Sequence, residues 1–542
     1  MSLLSLAQNG LSAAQAALNV VGNNLTNAVT PGYSRQSVEF GEAGGKTSGK
    51  GFFGYGVTVE QVQRMYDGFL NNQVRGASTE FSTINSRYKQ VSQIDDMLGD
   101  SANNLSSKLN NMFKAMEGVS KDPADPSARQ DVFSQLNSIA NQFRSNSNTL
   151  NGLGKSTNTQ IQQTVNDINS YCKQLAELNG QIAKTHGQTG GMPSDLLDKR
   201  DQLLNKLSEQ VGIKVKENND TGCVTVSMSN GQSLVVGDHY SQMKARPSDG
   251  DPNQLIVSYI DSAGNELSLK DSAMTGKLGG LFKFRDIDLK DAKNQLNQLA
   301  LQMEHKFNEV NASGYDRNGV KGGDIFTHHK PQAISNSKNK GNASLDVDLT
   351  NVPTVKSEDY TVTYNGSSWE VKTSSGRTIT PTVNGGKLSF EGITITPTGT
   401  PQAGDSFTLN PVAGCADEIK VSIKDGDQIA ASSSADKSDQ GNNENIRAFI
   451  GLKDEAFVGN KTLTGAYASL VSSVGSTVRS LKGEQDTAYK SYDQWQQQQQ
   501  SVVGVDLNEE YVNLQMFSQY YQANAQVLKT ANSIFDTLLS IR

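Results

Sequence analysis

The chain has 542 residues, 49 Lys and Arg against 56 Asp and Glu, and a formal net charge of −7. That length suits about three to five domains. An acidic balance without a basic cluster argues against nucleic acid as the main partner, and no apolar run approaches the ~18–20 residues of a membrane span. Three cysteines and five histidines exclude a disulfide framework and leave few soft metal ligands.

The first 34 residues carry no charge; Arg35 is the first. Within them Leu4, Ala7, Leu11, Ala14, Leu18, Val21 and Leu25 keep alternating four- and three-residue spacing, an a/d seam over three heptads. Thr30-Pro31-Gly32 stops the helix. Gln8, Asn9, Ser12 and Gln15 interrupt the continuous core that a secretory signal needs. A membrane-surface helix would carry Lys or Arg on its polar face, and none is present. A helix that pairs with another helix fits best; an ordinary first helix of a globular core is the plainer alternative.

Residues 81–116 read as one long helix, from Ile84 through Val91, Leu98, Leu105 and Met112 to Met116, ended by Asp122-Pro123-Ala124-Asp125-Pro126. Further helices are expected over about 127–150, through 161–182, around Leu203–Leu207, from Leu289 to Val310 and from Tyr467 to Trp495. Between them the period changes to two. Val224 to Met228 alternates before Asn230-Gly231, and Tyr360, Val362 and Tyr364 alternate before Asn365-Gly366. The fold class expected is multidomain α+β, with terminal coiled-coil helices, a long-helix bundle and inserted antiparallel β domains. Residues 1–35 form an assembly helix paired with 505–542. Residues 36–210 open the bundle, which 276–326 and 440–504 complete. A β-rich insert occupies 211–275, and an outer, variable β-rich domain occupies 327–439.

At the far end Leu507, Leu514, Tyr521, Leu528 and Phe535 fall seven apart, with Phe517, Ala531 and Leu538 at d positions. Neither terminal helix buries its seam alone, so the two are expected to pair, parallel or antiparallel. Both are expected to order in an assembly rather than in the free monomer.

Gly22-Asn23-Asn24-Leu25-Thr26-Asn27 through Thr30-Pro31-Gly32-Tyr33-Ser34-Arg35-Gln36 resembles the N-terminal signature of bacterial flagellar axial proteins. Val505-Asp506-Leu507-Asn508-Glu509-Glu510 and Tyr521-Gln522-Ala523-Asn524-Ala525-Gln526 resemble their C-terminal signature. Ser194-Asp195-Leu196-Leu197-Asp198-Lys199-Arg200-Asp201-Gln202-Leu203 and Gly314-Tyr315-Asp316-Arg317-Asn318-Gly319 are similar to the hook-associated proteins of the hook–filament junction. The likeness covers about 1–210, 276–326 and 440–542, with no close match over 327–439. It implies a structural, non-enzymatic protein of the extracellular flagellum, exported without a cleaved signal peptide through the flagellar type III channel. It also implies self-assembly into a ring, with the hook subunit and the second hook-associated protein as neighbours. Leu4, Leu11, Leu18, Val21, Leu25, Leu507, Leu514, Phe517, Tyr521, Leu528, Phe535 and Leu538 are the expected assembly interface. The family's export chaperone binds the C-terminal helix, which points to Leu514, Phe517, Tyr521, Leu528 and Phe535.

Chemistry is thin elsewhere, and no catalytic, cofactor or metal site is expected. Gly399 to Gly404 has phosphate-loop spacing, but Asp405 stands where the lysine belongs. His328-His329 reads as a surface pair, Cys172 as a buried structural thiol, and Asp198 to Asp201 as a solvated helix face or, less simply, a subunit contact. Two other readings stay open: a sibling axial protein such as a hook subunit, and an adhesin whose β domains expose Tyr360, Tyr364 and Trp369.

Overall fold

In a computed structural model, which describes residues 3–49, 51–100, 104–218, 220–261, 263–269 and 274–540, the chain begins and ends side by side. The first helix, α1 (Leu3–Asn27), leads through a short loop into a twisted β ribbon. Strand β1 (Gln36–Glu42) pairs antiparallel with β4 (Val57–Arg64), and β2 (Gly45–Ser48) with β3 (Gly51–Gly54). This ribbon occupies the start of the segment assigned to the helical bundle from the sequence. The reason is local. Val57, Val59 and Val62 favour a pleated strand, and closely spaced glycines make a tight reversal; Gly51 and Gly56 sit at φ 127° and 89°.

Helix α2 (Gly68–Gly99) is capped by Asp67, whose carboxylate accepts the Leu70 amide at 3.0 Å. It ends at Asp100, and α3 (Leu105–Lys121) restarts under an Asn104 cap that accepts the Ser106 amide at 2.7 Å. The expected single helix over 81–116 is therefore two, because Asn104 offers the backbone a competing local partner. The opposite happens next. The two helices expected over 127–182 are one, α4 (Pro126–Thr189), 64 residues long, or about 96 Å. Gly152 and Gly154 do not break it, because extending a helix is cheaper than nucleating a second. Helix α5 (Ser194–Gln210) turns back along its end.

Seven strands follow in two small antiparallel sheets: β5 (Ile213–Glu217), β6 (Val224–Met228), β7 (Ser233–Val236) and β8 (His239–Tyr240), then β9 (Gln242–Pro247), β10 (Leu255–Ile260) and β11 (Glu266–Ser268). They share one core with the second half of α4, with α5 and with α6 (Gly276–Lys283), built on Ile161, Ile168, Leu204, Val226, Val257 and Leu281. The β-rich insert over 211–275 thus lies against helices.

After a wide helical turn at 284–289, α7 (Lys290–Ser313) returns beside α3 and the first half of α4. The outer domain is a sandwich of two sheets. One contains β12 (Ala333–Ser335), β14 (Tyr360–Tyr364), β15 (Trp369–Thr373), β16 (Thr378–Ile379) and β20 (Ser406–Leu409). The other contains β13 (Ser344–Leu349), β17 (Thr382–Asn384), β18 (Lys387–Phe390) and β19 (Ile393–Thr398). Their inner faces and the bundle make one continuous core, from Leu136 and Phe143 through Phe307 to Val362 and Ile395. Short helices α8 (Cys415–Glu418) and α9 (Glu444–Gly451) bring the chain to α10 (Leu463–Val503), which pairs along α2. Helix α11 (Leu507–Ser540) then lies on α1.

Candidate assembly site

Helices α1 and α11 run antiparallel. Asn24 donates to Glu510 at 3.1 Å, and a Cβ added at Gly10 would stand 2.3 Å from Asn524 Oδ1. Contact is made by small residues. Ala7, Gly10, Ala13, Ala14, Ala17, Val21 and Asn24 are the buried positions of α1. The expected leucines flank that stripe: Leu4, Leu11, Leu18 and Leu25 are half-buried. Only Val21 of the expected α1 interface residues is fully buried. The seven-residue spacing fixed which side of α1 is apolar but not which edge of that side meets the partner. Alanine and glycine admit closer backbones, so the pair turns toward them and leaves the larger side chains on the rim.

On α11, Leu514, Phe517, Tyr521 and Leu528 are half-buried, while Leu507 and Phe535 are 46% and 60% exposed. The side chain of Leu538 lies outside the described residues. Glu510 and Ala531 are the buried positions of α11 among those described. Phe40 of the ribbon packs on Phe517, with ring centroids 6.1 Å apart. Phe52, Phe53, Phe69, Tyr511 and Val512 add further exposed apolar surface at this end of the molecule.

Below the pair lies a polar network, and the loop after α1 is its centre. Tyr33 donates to Asn24 at 2.8 Å, and Asn24 exchanges two hydrogen bonds with the Gln36 backbone. Arg35 reaches both Glu509 and Glu510. Ser34 donates its amide and hydroxyl to Asp198 at 3.2 and 2.7 Å. On α5 the network continues inward. Arg64, at the end of the ribbon, bridges Asp198 at 2.8 Å and Asp201 at 2.6 Å. Arg75 of α2 reaches Asp201 at 3.2 Å, and Arg200 reaches Asp201 and Glu217. Arg200 is fully buried, and Asp198, Arg75 and Glu510 are nearly so.

The face expected to be solvated at 198–201 is therefore a buried ionic junction. Four segments remote in sequence cover it, and spacing within α5 carries no sign of them. Burial pushes the Asp201 carboxyl up, but the guanidinium groups of Arg200, Arg64 and Arg75 outweigh it and hold the group below the usual carboxylate range. Burial lowers Arg200, and Asp201 and Glu217 more than offset it. Tyr33 and Tyr66 are each pushed up to about 12, first by burial and then by neighbouring carboxylates, so both stay protonated donors.

The other candidates separate clearly. Cys172 is buried and its thiol pushed up to about 12 by burial, which suits an inert core position. The histidine pair is split. His328 is exposed, but His329 is buried with Nδ1 2.9 Å from Glu418, so it is not a surface residue. Glu304, buried beneath them, is pushed up to about 7 by burial. Asp405, in the phosphate-loop spacing, accepts the amides of Gln402, Lys340 and Gly341 and so ties down its own loop. Tyr360 is fully buried, and Trp369 packs between Tyr364 and Phe407 at 5.1 and 5.9 Å. Tyr360 is sandwich core and Trp369 is half-buried against it, which weakens the adhesin reading. No group of three or more His, Cys, Asp or Glu among the described residues could hold a metal ion, and no described helix is long and apolar enough to cross a membrane.

Comparison with known proteins follows the same division of the chain. Residues 91–326 match the helical domain of the flagellar hook-associated protein FlgK, and 334–411 match the D2-like domain of flagellar hook-associated protein 1. The second match extends the family likeness into the outer segment, where no motif carried a close match. Residues 4–33 match the flagella basal body rod protein model, and 496–541 the flagellar basal body rod FlgEFG protein C-terminal model. The chain is 40% identical over 548 residues to flagellar hook-associated protein 1 of Escherichia coli (strain K12), with 100% of each chain covered. It is also 40% identical over 553 residues to that of Salmonella typhimurium, again covering all of both. Among solved structures it resembles the flagellar hook junction protein FlgK from Burkholderia pseudomallei, with a TM-score of 0.73 and 26% identity over 80% of this chain and 100% of that one.

Proposed function

The chain belongs to the flagellar hook-associated protein 1 family, and from that premise we propose how its two ends build the flagellum. As a member it is a structural component of the extracellular bacterial flagellum, at the hook–filament junction, and not an enzyme. Helices α1 and α11 pair within each subunit through the small-residue stripe, and their larger apolar side chains pack on neighbouring copies to close a ring. The observation that carries this reading is the rim: Leu4, Leu11, Leu18 and Leu25 on one helix and Leu507, Leu514, Phe517, Tyr521, Leu528 and Phe535 on the other are half-buried or exposed in a single subunit. Each leucine of that rim moved from water into an interface contributes on the order of 1.5–3 kcal/mol before ordering entropy is subtracted. The pair therefore orders fully only on assembly.

The hook subunit and the second hook-associated protein are the neighbours that family membership supports. An export chaperone fits the same C-terminal face, through Leu514, Phe517, Tyr521, Leu528 and Phe535, before assembly covers it. Limited proteolysis of the soluble monomer tests the timing. Rapid loss of about 35–60 residues from each end, leaving a resistant core, is expected; protected ends in dilute monomer would refute ordering on assembly. Leu528→Asp is expected to impair chaperone binding and motility together, and normal motility would count against the shared face.

A further inference from the structure

The motif Ser194 to Leu203 has no part in the pairing of the two ends, yet the structure places it directly beneath them. We propose that the first turns of α5 are a socket for the 30–35 loop, and that the two act as an ionic lock: α11 docks on α1 and the loop seats on α5 as one coupled event. The inference rests on the reading that the two ends pair as a unit.

The coupling has a continuous physical path. Glu510, the buried carboxylate of α11, is held by Asn24 and by Arg35. The residue before Arg35 is Ser34, whose amide and hydroxyl both go to Asp198. Gln202, one turn further along α5, donates to the Pro31 carbonyl at 2.9 Å. A Cβ at Gly32 would stand 2.4 Å from that same Gln202 side chain, and Gly32 sits at φ 77°, so this position both admits the socket and needs the left-handed conformation. Arg35 is tied down further, since its amide donates to the Val503 carbonyl at 2.9 Å and its carbonyl accepts the Met65 amide at 2.8 Å. Releasing the loop therefore strips Glu510 of Arg35, and undocking α11 leaves Arg35 without its carboxylates. A buried charge that loses its partner is costly, so neither event proceeds cheaply without the other. Asp198 is itself shared with Arg64 at the foot of the ribbon, which brings a third segment under the same lock.

The test uses the full-length chain and follows hydrogen exchange of amides 507–520 along an axis from trimethylamine N-oxide to urea, so that the docking midpoint of α11 is measurable whether or not it is ordered in plain buffer. Four chains are compared: wild type, Asp198→Asn, Glu510→Gln and the double variant. Asp198→Asn touches no atom of α11, yet is expected to shift the midpoint toward the osmolyte and to lower protection of 507–520 about tenfold, the scale of a charged hydrogen bond. Glu510→Gln is expected to do the same, and the double variant little more than either alone. Exchange at 132–150 checks that the bundle is intact. Ser34→Ala, which leaves α5 untouched, is expected to shift the midpoint in the same direction by less. An unchanged midpoint in Asp198→Asn and Ser34→Ala would overturn the lock, as would fully additive effects in the double variant. The wild-type midpoint alone reports on ordering at assembly, so failure of that reading is distinguishable from failure of the lock.

Discussion

The terminal pair and the α3–α4 bundle carry the same kind of seven-residue pattern and meet opposite fates. In the bundle, Leu105, Leu109, Met112, Val132, Leu136 and Phe143 have essentially no exposed surface. In the terminal pair, the leucines and aromatics of the repeat stay half-buried or exposed, and alanine, glycine and Val21 take the contact. The difference is the number of neighbours. α3 and α4 pack on each other and are covered between them by α7, α8, α9 and α10. α1 and α11 have each other and the ribbon. A heptad pattern states that a helix has an apolar side; only the surrounding elements state whether that side is already covered.

Substitutions sharpen this contrast. Phe143→Ala in the bundle should destabilise the monomer by about 3–5 kcal/mol, read as a large fall in the denaturant midpoint. Asp201→Asn should cost about 3 kcal/mol, because Arg64, Arg75 and Arg200 lose a shared buried carboxylate; a change below about 0.5 kcal/mol would show that the junction is solvated after all.

A smaller effect is expected from pH at the joint of bundle and sandwich. The Glu304 carboxyl is raised from 4.5 to about 7, chiefly by burial. A raised folded-state value means that its contribution to stability is full below about pH 4.5 and is lost as pH climbs through about 7. Stability of the wild type should therefore decline between pH 5 and 8 relative to Glu304→Gln, and parallel profiles would refute this. Asp201 has the reverse sign. Its depressed value gives stability that is present above its ordinary value of 3.8 and lost as pH falls through the lower folded value, so the junction should open only in strong acid.

The smallest effect in the free chain belongs to the terminal rim. Leu11→Ala should change monomer stability by less than about 1 kcal/mol, since the side chain is only half-buried. The same substitution should reduce the fraction of swimming cells in a strain lacking its own copy. A large loss of monomer stability would place Leu11 in the intramolecular core and break the contrast between the two regions.

Much of the architecture is legible in the residues. The apolar repeats mark helices at both ends and in the bundle, and Asn230-Gly231 and Asn365-Gly366 mark two turns of antiparallel sheet, with Gly231 and Gly366 at φ 92° and 103°. The ribbon over 36–64 is legible only in hindsight, from Val57, Val59 and Val62 following closely spaced glycines, because a short two-stranded ribbon with a register shift has a weak signal. Nothing in the local pattern identifies Arg64, Arg75, Asp201 and Glu217 as one junction. Charges read singly look solvated; they become a buried network when five remote segments fold onto one another.

The amino-acid pattern by itself determined where most of the helices and the sandwich strands lie, which side of each is apolar, and that the two ends are suited to pairing. These follow from backbone sterics and the periods of 3.6 and 2, which act over a few residues. Tertiary structure alone decided that alanine rather than leucine lines the terminal contact and that the charged face of α5 is buried. Each of those outcomes depends on which surfaces compete for the same neighbour, and that competition is settled only when distant parts of the chain occupy the same space.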